Sequence, residues 1–355
     1  MENNSGRKEV YFASANSYRG FRSYFDVIFN SKNFTKIYVL KGGPGTGKST
    51  IMKKCRDFAE EQGYLYEIFC CSSDPKSLDG IVLWNNSKKI AILDGTAPHE
   101  RDAVIPGAVD ELITLSNGFD ISALEKRRNA IEELNKKKNL SYREAYKYLS
   151  FSSVFAEKIK AEIKSCFNLE KAYKHAEAIA ATLPDGDLCE NDIRLVSSFS
   201  KNGYETLPTL PSISRIEYSI FGKWGSDAIY MNLLLDALRR TSKKARRFPS
   251  PLDSDKIEAL AFMGGDVTVS CMGRGDILCD TTEFLNSELL LRMDEYLDIF
   301  DNAREKFLML ATEQLREASK YHFLLEEIYT EHMDFSVIDE IRENLFAKIK
   351  NILSV

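Results

Sequence analysis

The sequence predicts an α/β fold: a parallel sheet flanked by helices, carrying a helical appendage, and repeated once along the chain in degenerate form. Three observations lead there. The first 95 or so residues alternate strand and helix patterns, the order that builds a parallel sheet. Eight glycine-rich residues, Gly42 to Ser49, stand between an apolar strand and a helix. A shift of 179 positions carries Ile37–Lys54 onto Ile216–Leu233 without a gap.

Taken in order, Val10–Ala13 reads as a short strand, and the aromatic-rich Arg19–Asn30 as a helix or packed segment. Lys36–Lys41 is an apolar strand that runs into the glycines. Thr50–Gln62 is a helix stopped by Gly63. Tyr64–Cys71 and Lys89–Leu93 are further strands. From Asp120 to Thr182 the chain is charged, helix-periodic and nearly free of Gly and Pro. Asp120 or Ser122 would cap its first helix, and Ser141 with Glu144 a second. Leu183–Asn191 reads as a linker, dividing the chain into residues 1–186 and 187–355. In the second half, Ile216–Ile220 repeats the first strand of the motif, and Phe248, Asp253 and Ile257 fall on Phe69, Asp74 and Leu78. A helical tail over 287–353 mirrors Asp120–Thr182.

The 355 residues carry a net charge of -5, which gives no bulk reason to expect a nucleic-acid partner. Seven cysteines, an odd number with no CxxC spacing, indicate neither a disulfide framework nor a zinc site. No apolar run approaches the roughly 20 residues of a membrane span, and residues 1–10 lack an apolar signal core. A cytoplasmic chain without a membrane partner is expected.

Gly42-Gly43-Pro44-Gly45-Thr46-Gly47-Lys48-Ser49 satisfies G-x-x-x-x-G-K-[ST]. Glycines let the backbone turn successive N–H groups inward as an anion nest, and the helix that follows adds its positive end. Lys48 would meet the β- and γ-phosphates, and Ser49, with Thr50 beside it, would ligate Mg²⁺. Ile90-Ala91-Ile92-Leu93 ends in Asp94, placed to hold the metal's water shell. The fold class is thus of P-loop NTPase type. No Asn-Lys-x-Asp stretch is present to read guanine, so ATP with Mg²⁺ is the expected ligand. The catalytic base is not assigned by sequence: Asp74, Asp79, His99 and Glu100 lie on loops expected at the ligand edge. Asp74 also reads as a cap around Pro75, and Arg101 is a candidate by position only. Mg²⁺-dependent ATP hydrolysis is the expected activity, coupled to a protein or small molecule that the sequence does not name. A kinase acting on a small molecule or nucleotide would use the same loop, as would a non-enzymatic ATP-gated interaction module.

Tyr11-Phe12-Ala13-Ser14-Ala15, the segment Lys41–Thr50, Cys71-Ser72-Ser73-Asp74-Pro75-Lys76-Ser77-Leu78-Asp79-Gly80, Asp94-Gly95-Thr96-Ala97-Pro98-His99 and Pro106-Gly107-Ala108-Val109-Asp110 together resemble a poorly characterised bacterial family. Its members, found mainly in Firmicutes, are tandem P-loop ATPases or ATP-binding proteins. The resemblance implies a P-loop in each half. The second half departs from it. At the 179 shift Ser226, Asp227 and Ala228 replace Gly47, Lys48 and Ser49, and Cys271 falls near Asp94. Aspartate would repel phosphate, so the second half is expected to bind no nucleotide.

Overall fold

A computed structural model describes residues 8–185, 192–262, 265–273 and 275–354. Part of the expected linker, with Cys189, lies outside the described residues. The first half runs β1 (Lys8–Phe12), the hairpin β2 (Ser14–Ser17) and β3 (Gly20–Ser23), α1 (Phe25–Ile28), β4 (Lys36–Lys41), α2 (Lys48–Gln62), β5 (Leu65–Cys70), β6 (Leu78–Asn85), β7 (Lys88–Asp94) and β8 (Asp110–Thr114). Then come α3 (Ile121–Lys126), α4 (Arg128–Cys166) and α5 (Leu169–Thr182). The second half repeats the plan: the hairpin β9 (Ser197–Ser200) and β10 (Gly203–Thr206), α6 (Thr209–Ile213), β11 (Ile216–Phe221), α7 (Ser226–Arg240), β12 (Arg246–Pro249), β13 (Ile257–Phe262), β14 (Val267–Ser270), β15 (Asp276–Asp280), α8 (Ser287–Glu331) and α9 (Phe335–Leu353).

The sheets are ordered β1-β5-β6-β7-β4-β8 and β12-β13-β14-β11-β15. In each, the strand before the loop-and-helix unit pairs in parallel on both sides, β4 with β7 and β8, β11 with β14 and β15. In each, one strand runs antiparallel to both neighbours, β6 in the first sheet and β13 in the second. This corrects the wholly parallel sheet expected from sequence. Asn86, at φ 51, and Ser87 turn β6 straight back into β7, a hairpin connection that a parallel neighbour could not use. Of the two readings of Arg19–Asn30, the packed segment is the one found: it holds β3 and a single helical turn, with Tyr24, Phe25, Ile28 and Phe29 buried. The expected cap at Ser141 fails, because Ser141 is buried inside the unbroken α4.

α4 and α8 form an antiparallel pair. Ser152 Oγ donates to the Arg304 carbonyl at 3.2 Å, and strand-like bridges join Phe119 to Met333 at one end and Phe167 to Leu285 at the other. Ala145, Leu149, Ser152, Ala156, Ile159 and Ile163 are buried along α4 at alternating steps of four and three, the seam of a coiled coil. At about 1.5 Å per residue these helices are long enough to cross from one sheet to the other. Each half therefore sends its last helix away. α5 packs on α7 in the second core through Ala172, Ala176 and Ala180, and α9 enters the first core through Ile338, Leu345, Ile349 and Leu353.

The sheets also meet through residues 192–195. Phe12 N–H donates to Leu195 O at 2.8 Å on one side, and Arg194 N–H to Arg247 O at 3.1 Å on the other. A buried ion cluster lies on this seam. Arg246 reaches Glu9 at 3.0 Å, Asp192 at 2.9 Å and Glu67 at 3.7 Å; Arg194 reaches Glu67 at 3.1 Å and Asp192 at 2.8 Å. Burial pushes the Glu67 carboxyl up, but Arg194, Lys89 and Arg246 outweigh it and hold the pKa at about 2. Glu67 thus contributes stability present above the ordinary glutamate range and lost as pH falls from about 4.5 towards 2. Between those pH values, Glu67→Gln is expected to flatten the acid limb of a denaturation curve followed by circular dichroism.

Candidate functional site

β4 is buried from Ile37 to Leu40 and so aims its exit, Lys41, at the C-terminal edge of the sheet. The next six residues wrap tightly. A Cβ on Gly42 would lie 2.7 Å from Thr46 Oγ1, and Gly45 and Gly47 hold φ values of +73° and +84°. Such geometry admits glycine and little else. Thr46 Oγ1 donates to Gly43 O at 2.9 Å and closes the loop. Pro44 is half-buried on its rim and Thr50 exposed beyond it. Gly47 caps α2, and Lys48 is the helix's first residue.

Lys48 Nζ donates to Gly42 O at 2.8 Å and Gly43 O at 2.9 Å, and lies 3.7 Å from Asp94 Oδ2. Asp94 reaches this position because β7 pairs with β4 in a register that sets it beside Leu40. Its Oδ1 accepts from the Thr96 backbone N–H at 2.8 Å and hydroxyl at 2.6 Å, leaving Oδ2 to face Lys48. Burial raises the Asp94 carboxyl above its ordinary value, with Asp79 adding to the rise and Lys48 opposing it. The Ser49 hydroxyl accepts from Leu78 N–H at 3.0 Å, tying the start of α2 to the start of β6.

A second pair lies close by. Buried His99, from the loop after β7, has Nε2 2.9 Å from Oδ2 of Asp79 on β6. Its ring stacks on Phe25 at 4.8 Å and meets the edge of Phe21 at 5.0 Å, a use for the aromatic segment that sequence left unexplained. Burial pushes the imidazole down, yet the carboxylates of Asp79 and Asp94 outweigh it and hold its pKa above the ordinary histidine value. Its Nδ1 is buried without a hydrogen-bond partner.

The remaining sequence candidates divide. Asp74 pairs with Lys201 of the second half at 3.4 Å, and Glu100 is exposed. Arg101 turns away into the fold, 3.5 Å from Asp110, 3.2 Å from Ser31 Oγ and 3.6 Å from Asp26. It serves the β8 side of the sheet, not the glycine loop. Sequence reasoning missed the wall opposite the loop. A Cβ on Gly43 would meet Phe119 at 3.6 Å and Tyr329 at 3.7 Å; on Gly45 it would lie 2.6 Å from Thr330 Oγ1 and 2.8 Å from Glu326 O. The last turns of α8 thus cover the loop, and no local pattern links residues so far apart in the chain.

The matching loop of the second half holds four residues, Gly222–Gly225, where the first holds six. Positive φ falls on Trp224 and Gly225. Gly225 precedes α7 as Gly47 precedes α2, so Ser226 stands for Lys48 and Asp227 for Ser49, one residue from the ungapped sequence alignment. The shorter loop causes that slip. Ser226 Oγ bonds with Thr281 Oγ1 at 2.7 Å. Beside it opens a cavity of about 1250 Å³, lined among others by Trp224, Asp227, Tyr204, Glu258 and Arg304.

No protein-family model, curated protein or solved structure matches the chain. No described helix is long and apolar enough to cross a membrane.

Proposed function

We propose that the first half is a P-loop NTPase that binds ATP with Mg²⁺ on Gly42–Thr50 and hydrolyses it. The observation that carries this reading is the pairing of Lys48 with Asp94 at the mouth of a loop whose Gly45 and Gly47, at φ +73° and +84°, adopt the left-handed backbone that an anion nest uses. Lys48 and the loop N–H groups would neutralise the phosphates, and the helix end would add to them. Ser49 Oγ and Asp94 Oδ2 are the oxygens that would hold Mg²⁺, directly or through water. Mg²⁺ held by these two oxygens would offset negative charge on the phosphates. Among the described residues no group of three His, Cys, Asp or Glu is gathered to hold a metal; Mg²⁺ carried on phosphates needs only one or two protein carboxylates. The pairing of His99 with Asp79 at 2.9 Å, which raises the imidazole's pKa, favours donation to a developing negative charge over removal of a proton. The short loop of the second half, with Asp227 at the start of α7, supports a single nucleotide site per chain.

The reading is tested by calorimetric titration with ATP, with and without Mg²⁺, while ADP formation is followed. Wild-type protein is expected to bind and turn over. Asp94→Asn is expected to retain metal-free binding and lose about 100-fold in ADP formation, the scale of one well-placed electrostatic contact. Full turnover in Asp94→Asn would remove this carboxylate from the site. ADP formation that requires an added acceptor would move the reading to a kinase, and binding without turnover to an ATP-gated module.

A further inference from the structure

The cavity beside the shortened loop plays no part in the nucleotide reading. At about 1250 Å³ it exceeds the roughly 300–1000 Å³ that encloses most small ligands. The start of α7, β13, the β9–β10 hairpin and facing stretches of α4 and α8 wall it. Trp224, Ile229, Leu233 and Leu252 supply an apolar side. Trp224 takes its place there at φ 56, a backbone state that is costly for so bulky a residue. Seven carboxylates line the cavity against five cations, the reverse of a phosphate site.

Two of these carboxylates share the loop corner. Asp227 stands in the first turn of α7, and Glu258 lies on β13, where its carbonyl accepts from Cys271 N–H at 2.8 Å. The Cys271 thiol feels both: burial pushes it well up, and Asp227 and Glu258 add to the rise. Glu258 Oε1 accepts from the Tyr204 hydroxyl, and Oε2 is buried without a hydrogen-bond partner. Among the described residues no cation stands within 4.0 Å of either carboxylate. The arginines of the wall are engaged elsewhere, Arg304 with Asp301 at 2.8 Å and Glu305 at 2.6 Å, Arg316 with Lys201 O at 2.8 Å. A carboxylate taken from water with no counter-charge is costly, and a cation brought in from outside offsets that cost.

We propose that this cavity is a second ligand site and takes a small organic cation, a primary ammonium on an apolar body. Asp227 receives the ammonium with Glu258 as the second negative charge, and Trp224, Leu233 and Leu252 pack the body. The site occupies the place of the phosphate nest in the first half with the charge reversed, since Ser226 stands for Lys48 and Asp227 for Ser49.

The test titrates the full chain by calorimetry with three probes of one shape: phenethylamine, neutral phenethyl alcohol and anionic phenylpropanoate. Wild type is expected to bind the amine about tenfold tighter than the alcohol, the scale of one charge-assisted hydrogen bond, and the anion more weakly than either. Asp227→Asn and Glu258→Gln keep the shape of the corner and remove one charge each. Each is expected to weaken amine binding about fivefold and to leave alcohol binding within about twofold of wild type. Unchanged circular dichroism and alcohol affinity separate lost charge from lost fold, and if one variant misfolds the other decides. Equal amine and alcohol affinity in wild type, tighter binding of the anion, an amine preference that survives both substitutions, or binding of none of the three probes overturns the proposal. None of these outcomes bears on the nucleotide site.

Discussion

Lys48→Ala is expected to lose Mg-ATP binding by at least about 100-fold and to show no turnover above background. The ammonium lies at the loop mouth, bound to two backbone carbonyls and 3.7 Å from Asp94. Alanine would remove the loop's ammonium and leave only Mg²⁺ between the β- and γ-phosphates and the Asp94 carboxylate. The two carbonyl bonds contribute little to folding, because Gly42 and Gly43 stay half-open to water. Unchanged circular dichroism beside lost calorimetric heat would therefore place the effect in the site. Retained binding would remove the loop from the account altogether.

The second large effect falls on stability. Arg246→Ala is expected to cost about 3–5 kcal/mol, the range for breaking a buried ion cluster from one side. Glu9, Glu67 and Asp192 would lose their shared partner, and Tyr11, whose hydroxyl accepts from Arg246 at 2.8 Å, would lose a bond. Urea denaturation measures it. The exposed pair Arg19–Asp255, at 3.1 Å with both side chains mostly in water, gives the contrast: Arg19→Ala is expected to fall within experimental scatter. If both substitutions cost the same, the seam between the sheets does not depend on its charges. Arg246 joins residues from β1, β5 and segment 192–195, so its loss should also loosen one half from the other.

Local rules read much of this chain well. Gly63 ends α2 in the left-handed conformation, and Asp120 caps α3 by accepting from Ala123 N–H. Asp94 was legible because four apolar residues before it make a strand and the glycine motif says which strand must lie beside it. His99 was only one of several polar loop residues until Asp79 and the Phe21–Phe25 rings closed around it. β6 was hidden because Leu78–Asn85 is buried over most of its length and shows no alternation of polar and apolar residues. The Arg246 cluster could not be read at all, since its carboxylates come from three separate stretches and each alone looks like a solvated charge.

By itself the sequence determined the elements whose cause lies within a few residues: the glycine loop, its lysine and serine, the strand ending in Asp94, the long helices, and the internal repeat. These follow from backbone sterics, capping and periodicity, which act over one or two turns. Only the tertiary structure decided that α4 and α8 cross between the sheets, that α5 and α9 are exchanged, and that the last turns of α8 come to rest on the loop at Gly45. A helix pattern specifies which face is buried but not what buries it. That choice belongs to the packing of two apolar seams against each other, and here it brings the end of the second half onto the candidate site of the first.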